Sequence, residues 1–298
     1  MTSKESITLI TGGTGFIGRS LCAALLRDRQ EKLVILTRRP QCHRHRQIEF
    51  IASFDELKFP PTRIVNLAGA PIADKRWDDE RKQVLSDSRV GLTQALFKYC
   101  QQQGWHPDLL ISASAIGYYG FDNPRCDESS AKGHGYAADL CAKWEEAAHQ
   151  FDQLGTRICV MRLGVVLGQG GGALAKLLPM FKLGLGGPIG AGTQGFSWIQ
   201  LEDVVRAIEW CMDNDDFSGV FNLCSPQPVS QREFAKKLAS VLHRPGFVPT
   251  PAPVLRMIFG EMAKELLIGG QFVSPKKLVD LHFPFNFPDL PSALLESV

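Results

Sequence analysis

Short apolar runs alternate along the first half of the chain with longer segments whose apolar residues recur at helical spacing. The runs predict six strands, at residues 7–10, 33–36, 48–51, 64–67, 109–111 and 157–161. The segments between them predict helices at residues 16–27, 78–103 and 137–151. Because parallel strands need helical crossovers and are buried on both faces, this pattern predicts an α/β fold with a doubly wound parallel sheet.

The texture of the sequence changes after Gly168. Residues 170–172 and 184–195 are rich in glycine and predict loops. Residues 202–212, 231–242 and 254–267 predict three more helices, with a strand at 220–223 between the first two. The tail at 284–291 is rich in Pro and Phe, and we expect it to cover the lobe. We therefore predict a core of residues 1–168 and a smaller C-terminal substrate lobe of residues 169–298, with helix 202–212 and strand 220–223 returning to the core.

Net charge, cysteine spacing and the length of the apolar runs exclude several classes of function. The chain has 298 residues and a net charge of +2, which gives no basic face for nucleic acid or for an anionic membrane. None of its eight cysteines forms a C-x-x-C pair, so we expect no metal site and reduced thiols. The first strand begins almost at once and no apolar run would span a bilayer, so we expect a cytoplasmic protein without a signal peptide.

The strongest motif is the glycine-rich run from Thr11 to Gly18. It satisfies G-x-G-x-x-G and lies between a predicted strand and an amphipathic helix, which is the context that the motif requires. Glycines let the backbone turn tightly and approach a pyrophosphate, whose charge lies at the helix N-terminus. The run therefore predicts a Rossmann domain that binds a dinucleotide.

The end of the second strand indicates which dinucleotide binds. NAD-binding domains place a carboxylate there for the ribose 2′-hydroxyl, but this strand ends in Thr37-Arg38-Arg39. Arginine pairs bidentately with phosphate oxygens, so we predict NADP(H), with Arg89 as a further group directed at the 2′-phosphate. The alternative is that Arg38 and Arg39 are solvated surface charges.

The same motif, with Asn66-Leu67-Ala68-Gly69 after the fourth strand, resembles the extended, atypical short-chain dehydrogenase/reductase superfamily. Segments 71–77, 112–120, 162–168 and 196–199 resemble its YfcH-like group of NAD(P)-dependent sugar-nucleotide epimerases, and residues 251–295 resemble that group's C-terminal domain. The resemblance implies a nicotinamide cofactor. The predicted cofactor-binding residues are Gly12, Thr14, Gly15, Phe16, Ile17, Gly18, Thr37, Arg38, Arg39, Leu67, Ala68, Gly69, Arg89 and Val165.

The resemblance implies a catalytic Ser, Tyr and Lys, with the Lys four residues after the Tyr. Ser114 matches the Ser, but Leu140 follows Tyr136 at the Lys spacing. Lys143 lies two helical turns beyond Tyr136, so we predict Ser114, Tyr136 and Lys143 as the catalytic residues. Three alternatives stay open. Tyr136 is a packing aromatic, an alignment on Glu145 puts Ala137 and Cys141 at the two positions, or Tyr118 or Tyr119 is the acid.

Two functions compete on this evidence. The first is an NADP(H)-dependent epimerase or oxidoreductase acting on a small, anionic substrate such as a sugar nucleotide. The second is an NADP(H)-binding redox sensor without turnover, favoured by the missing Tyr-x-x-x-Lys. We expect an enzyme, and the resemblance also allows a homodimer because many relatives of this fold dimerise.

Overall fold

Seven parallel strands form the main sheet in the computed structural model, which describes residues 6–29, 31–40, 45–122 and 125–298. Their order is β11-β7-β5-β4-β1-β2-β3, so consecutive strands are joined by crossovers on both faces, and the predicted doubly wound α/β class is confirmed. The strands are β1 Ile7–Thr11, β2 Lys32–Leu36, β3 Ile48–Ile51, β4 Arg63–Asn66, β5 Leu109–Ala115, β6 Arg125–Cys126, β7 Arg157–Leu163, β8 Val165–Leu167, β9 Gly195–Phe196, β10 Trp198–Gln200, β11 Gly219–Leu223, β12 Val229–Ser230 and β13 Phe272–Val273.

Helices cover both faces of this sheet and build the remainder of the C-terminal half. α1 packs on α6 on one face, and α3 packs on α4 on the other. The helices are α1 Phe16–Asp28, α2 Asp79–Ser86, α3 Leu92–Gln103, α4 Tyr136–His149, α5 Gly172–Lys182, α6 Leu201–Asp213, α7 Gln231–Val241, α8 Ala252–Phe259, α9 Glu261–Ala263, α10 Lys276–Asp280 and α11 Leu290–Ser297.

The register of the main sheet aligns the carboxyl ends of its central strands. Thr11 at the end of β1 pairs with Leu36 of β2 on one side and with Asn66 of β4 on the other. Asn66 in turn pairs with Ser112 of β5. The loops that follow β1, β2, β4 and β5 therefore leave the sheet side by side, at the edge where open α/β sheets bind their ligands.

The far half of the chain contributes one strand to this sheet. β11 pairs in parallel with β7 from Gly219 opposite Cys159 to Leu223 opposite Leu163. Phe221 on β11 and Ile208 on α6 are fully buried in the same hydrophobic cluster as Leu25 on α1. The main sheet thus receives strand β11 and helix α6 from beyond Gly168.

Several predicted elements differ in detail from the observed ones. The helix expected at 78–103 contains a π-helical turn at Asp87–Gly91, and the helix expected at 254–267 breaks at Gly260, whose φ is +58°. The glycine-rich stretch is followed by the short strands β9 and β10, which pair with β12 and β8 respectively. Pairing partners distant in sequence decide such two- and three-residue strands, so local composition does not reveal them.

Side chains in the described ranges bear on three further expectations. The cysteines of the described ranges are buried, whereas Cys42 lies outside the described residues. His, Cys, Asp and Glu side chains of the described ranges form no group of three or more that would hold a metal ion. No helix within those ranges has both the length and the apolar character needed to cross a membrane.

Candidate dinucleotide and catalytic site

The loop between β1 and α1 is a turn that requires glycine. Gly12 has a φ of +72°, and a Cβ there would lie 2.8 Å from the Ala68 nitrogen. A Cβ on Gly18 would lie only 2.3 Å from the Gly12 oxygen, which also accepts a hydrogen bond of 2.9 Å from the Gly15 nitrogen. Side chains at these positions would push the loop open.

The N-terminus of α1 is suited to an anion. Its N-cap is Gly15, and within the described residues no side chain caps it and no acidic residue lies in its first turn. The first N–H groups of a helix need acceptors and carry the positive end of the helix dipole, which favours a bound phosphate. The ring of Phe16 lies against residues 171 and 172, since a Cβ on Gly171 would be 2.4 Å from Phe16 Cδ2. This cradle fits the pyrophosphate of a dinucleotide.

Buried polar side chains hold the neighbouring strand ends in place. Thr11 Oγ1 donates to Asn66 Oδ1 at 2.7 Å and accepts from the Ala68 nitrogen at 3.2 Å. Asn66 Nδ2 donates to Thr93 Oγ1 at 2.8 Å and to Ser112 Oγ at 3.3 Å. These bonds fix the segment after β4 beside the glycine turn.

Two exposed arginines follow β2 on the other side of the glycine loop. Arg38 and Arg39 are solvent-exposed, and the Arg39 nitrogen donates to Thr37 Oγ1 at 3.4 Å. Since Leu36 pairs with Thr11, these residues leave the sheet next to the turn that begins at Gly12. The structure therefore brings the predicted phosphate loop and the predicted 2′-phosphate residues to one edge.

The other predicted cofactor residues border the same edge, and Arg89 does so on a different side than predicted. Thr14, Ile17 and Leu67 are half-buried, and Gly69 is exposed. Val165 is half-buried in β8, where it pairs with Trp198. The Arg89 guanidinium instead donates to the Ala70 oxygen at 2.9 Å, on the β4 side of the loop. This position departs from the predicted direction toward the 2′-phosphate.

Ser114 lies near the end of β5 and is tied into a buried ion pair. Only 1% of its surface is exposed, and its Oγ donates to Glu145 Oε1 at 2.6 Å. Arg162 from β7 donates its Nε to the same oxygen at 2.9 Å and an Nη to Glu145 Oε2 at 2.8 Å. Such a bidentate pair is tolerated in a protein interior because nearly every donor and acceptor is used.

The pair continues to two tyrosines. Arg162 donates to the Tyr119 hydroxyl at 3.0 Å, and that hydroxyl donates to Asn222 Oδ1 at 2.7 Å. Burial raises the pKa of Tyr119 to about 12, so this phenol is a poor acid near neutral pH. The half-buried Tyr118 lies with its ring centroid 3.4 Å from the Arg162 guanidinium carbon. The Glu145–Arg162 network, as we call it, consists of Ser114, Tyr118, Tyr119, Glu145, Arg162 and Asn222.

Tyr136 and Lys143 do not join Ser114. The Tyr136 hydroxyl donates to the Lys82 oxygen at 2.8 Å, and its ring packs edge-on against Trp77 at 5.0 Å between centroids. Lys143 is exposed on the solvent face of α4. Residues 136 and 143 lie seven positions apart, but Tyr136 begins the helix and its ring turns toward α2. The structure thus favours the packing interpretation of Tyr136 and does not bring Tyr136 and Lys143 to Ser114, so their catalytic role stays a prediction.

Ala137 and Cys141 lie against the segment that follows β5 instead, close to Gly117. A Cβ on Gly117, just after β5, would lie 3.3 Å from Ala137 Cβ and 3.8 Å from Cys141 Sγ. The Cys141 thiol is within hydrogen-bonding reach of the Ser114 hydroxyl, and burial raises its pKa to about 11. The alignment on Glu145 is therefore the one that the geometry supports, and it leaves neither a phenol nor an amine at the two positions.

The C-terminal lobe closes over this part of the sheet edge. Glu265 accepts hydrogen bonds from the Tyr136 and Ala137 nitrogens at 3.0 and 2.8 Å, which caps α4. Lys82 on α2 forms a 2.6 Å ion pair with Glu261. Lys176 on α5 donates to the Ala73 oxygen at 2.9 Å, in the loop after β4.

Sequence reasoning missed the polar partners contributed by distant elements. No recognised sequence motif includes Asn222, although it lies inside an apolar strand. Its Nδ2 donates to the Ser274 oxygen at 2.9 Å, and its backbone nitrogen donates to Glu128 Oε1 at 3.0 Å. A polar residue within an apolar strand was the available signal, because a buried amide needs partners.

The glycine turn, the free helix N-terminus and the order of the parallel strands define a Rossmann-type α/β protein. Comparison with known proteins gives the narrower class. The chain belongs to the NAD dependent epimerase/dehydratase family, whose model matches residues 8–224. Residues 250–296 match a domain of unknown function, DUF1731.

Relatives of similar length share the whole architecture. The chain is 38% identical to an epimerase family protein of Staphylococcus saprophyticus, over 97% of this chain and 98% of that one. It is 36% identical to a chloroplastic epimerase family protein of Arabidopsis thaliana, an SDR39U1 homologue, over 98% and 87%. The crystal structure of the human epimerase family protein SDR39U1 with NADPH superposes with a TM-score of 0.87, at 32% identity over 98% of both chains.

Proposed function

We propose that this protein binds NADP(H) in the Rossmann cradle and uses it for hydride transfer with a small anionic alcohol or carbonyl compound, of the sugar-nucleotide type. The division at Gly168 into a cofactor core and a substrate lobe belongs to this proposal, as does a cytoplasmic location. Family membership supports an enzyme of the epimerase/dehydratase kind, and the human relative was crystallised with NADPH.

The arginine pair after β2 is the observation that carries the cofactor assignment. Arg38 and Arg39 are exposed beside the glycine turn. A carboxylate in this place would repel a 2′-phosphate, whereas a guanidinium binds its oxygens through charge-assisted hydrogen bonds. Their exposure leaves both side chains available for a ligand.

When bound, the nicotinamide supplies or accepts the hydride. Ser114 commits its proton to Glu145, so its oxygen is an acceptor for a substrate hydroxyl rather than a donor to a carbonyl. Arg162 donates to both oxygens of Glu145, so the carboxylate that accepts the Ser114 proton is held in a fixed position. An alcohol bound here would pass its proton to Ser114 Oγ as the serine proton moves to Glu145 Oε1, which is the direction of alcohol oxidation.

A second candidate function rests on a specific observation. Ala137 and Cys141 carry no general acid or base beside Ser114, and Ser114 itself is almost completely buried. A protein with this site would bind NADP(H) and report its redox state without turning it over.

Mixing experiments separate the two functions. The protein loaded with NADP⁺ is mixed with a panel of nucleoside diphosphate sugars while absorbance in the reduced-nicotinamide band is followed. A rise, transient for an epimerase and sustained for a dehydrogenase, supports hydride transfer. The rise should be lost in Ser114→Ala at unchanged NADP⁺ affinity. A flat trace across the panel at saturating cofactor favours the redox sensor.

Cofactor choice has its own test. Arg38→Ala should weaken NADPH binding by about 10- to 100-fold, because one hydrogen bond to a charged group contributes about 1.5–3 kcal/mol. NADH binding should stay within about twofold, since NADH lacks the 2′-phosphate. Isothermal titration calorimetry measures both affinities, and Lys98→Ala, an exposed cation on α3, is the control. Equal losses for the two cofactors would contradict the 2′-phosphate assignment.

A further inference from the structure

Arg89 occupies an unusual place in the helix that follows β4. It lies in the π-helical turn Asp87–Gly91, between α2 and α3. π-helical turns are rare and are frequently found at functional sites, because they displace a side chain from its regular position. Here the guanidinium reaches back over the segment after β4. A Cβ on Gly69 would lie 2.9 Å from its central carbon.

Neutral groups alone satisfy this guanidinium. Arg89 donates to the Ala70 oxygen at 2.9 Å, to the Leu85 oxygen at 3.3 Å and to Ser88 Oγ at 3.4 Å. Its central carbon lies 5.4 Å from the Trp144 ring centroid. None of the ion pairs between described residues includes Arg89.

No described carboxylate pairs with this half-buried cation. Burial lowers the pKa of Arg89, and Cys141, Tyr136 and Arg81 are the titratable groups that act on it. Arg162, by contrast, is buried against the Glu145 carboxylate. Arg89 is half-buried, its hydrogen-bond acceptors are neutral and it borders the sheet edge that binds ligands, so its position suggests that an anionic ligand completes its coordination.

Strand order says which half of a dinucleotide Arg89 would meet. The pyrophosphate cradle follows β1, and the 2′-phosphate arginines follow β2 on one side of it. Arg89 contacts the segment after β4, on the opposite side, and adjacent strands are about 4.8 Å apart. Its other neighbours, Cys141 and Tyr136, lie at the start of α4, beyond β4 in the same direction.

On the basis of the proposed NADP(H) binding, we infer that Arg89 binds the nicotinamide half of the cofactor, through the phosphate and ribose hydroxyls of that half. The Arg89 guanidinium then supplies the positive charge at the nicotinamide end of the cofactor, where the neighbouring α4 residues are Ala137 and Cys141. Arg38 and Arg89 hold opposite ends of one dinucleotide.

Three ligands distinguish the two ends by calorimetry. NADPH carries both ends, NADH lacks the 2′-phosphate, and 2′,5′-ADP lacks the nicotinamide half. Arg89→Gln should weaken NADPH and NADH alike, by about 10-fold or more, and change 2′,5′-ADP binding by less than about twofold. Arg38→Ala, the matched control, should weaken NADPH and 2′,5′-ADP but spare NADH.

The calorimetric results distinguish failure of the Arg89 inference from failure of the proposed function. Loss of NADPH and 2′,5′-ADP binding with NADH spared in Arg89→Gln would place Arg89 at the 2′-phosphate and overturn the inference. Unchanged affinity for all three ligands would overturn it as well. If Arg89→Gln does not fold, Arg89→Lys should still weaken NADPH and NADH equally, because lysine keeps the charge but loses the planar fork. Wild-type protein that binds none of the ligands would overturn the proposed function itself.

Discussion

The glycine turn after β1 and the first turns of α4 lie at the same edge of the main sheet, yet only the first follows the family pattern. From Thr11 to Gly18 every glycine of the motif is present, and close backbone contacts explain Gly12 and Gly18. At the start of α4, Ala137 and Cys141 stand where the resemblance implies a Tyr and a Lys.

The difference teaches which kinds of requirement a sequence motif preserves. The turn binds through backbone N–H groups, and only glycine satisfies its steric limits, so no other element can take over. Charge and hydrogen bonding at α4 come from side chains, which any neighbouring strand or helix can present. Here β7 contributes Arg162, and the π-helical turn contributes Arg89.

Glu145→Ala tests the α4 side with the largest expected effect. The change leaves Arg162 buried without its carboxylate, and breaking such a pair costs about 3–5 kcal/mol of the free energy of unfolding. Urea denaturation measures the loss. Glu146→Ala, which removes an exposed carboxylate from the same helix, should stay within about 0.5 kcal/mol. A loss below about 1 kcal/mol for Glu145→Ala would mean that the buried network contributes little to stability.

Gly18→Ala tests the turn. The new Cβ would lie 2.3 Å from the Gly12 oxygen and 2.6 Å from Gly13 Cα, so the loop must move. Overpacking of this kind lowers the free energy of unfolding by about 1–3 kcal/mol. Because the moved loop would no longer fit the pyrophosphate, we expect NADPH affinity to fall by about 10- to 100-fold.

The control is Gly91→Ala, whose Cβ would make an ordinary contact at 3.8 Å with Asp87 Cβ. It should leave NADPH affinity within about twofold, because it creates no steric conflict. Tight NADPH binding by Gly18→Ala would contradict the assignment of this turn as the pyrophosphate cradle.

Tyr136→Phe sharpens the comparison with a small effect. It removes the hydrogen bond to the Lys82 oxygen, and the free energy of unfolding should fall by about 1 kcal/mol. Any hydride transfer rate found for the wild type should be unchanged, as it should be in Lys143→Ala. A rate loss of about 100-fold in Tyr136→Phe would restore this tyrosine as the general acid or base.

Much of the cofactor side follows from sequence alone. The alternation of apolar runs and amphipathic segments determines the parallel sheet, because apolar residues recur at different spacings in buried strands and in crossover helices. Thr11 to Gly18 determines the turn, and the absence of a carboxylate after β2 indicates the cofactor. These signals are local: each depends on residues within about twenty positions of one another.

Only the tertiary structure decided the chemistry beside Ser114. Helical spacing alone allowed Tyr136 and Lys143 to share a face, but the rotation of α4 turns Ala137 and Cys141 toward the segment after β5. Ser114, Glu145, Arg162 and Asn222 come from four separate elements, and strand pairing together with the packing of α4 joins them, with Tyr119 linking Arg162 to Asn222. The role inferred for Arg89 also depends on the residues packed around it. A cation's role depends on its partners, and a counter-ion is a property of the packed molecule rather than of a sequence window.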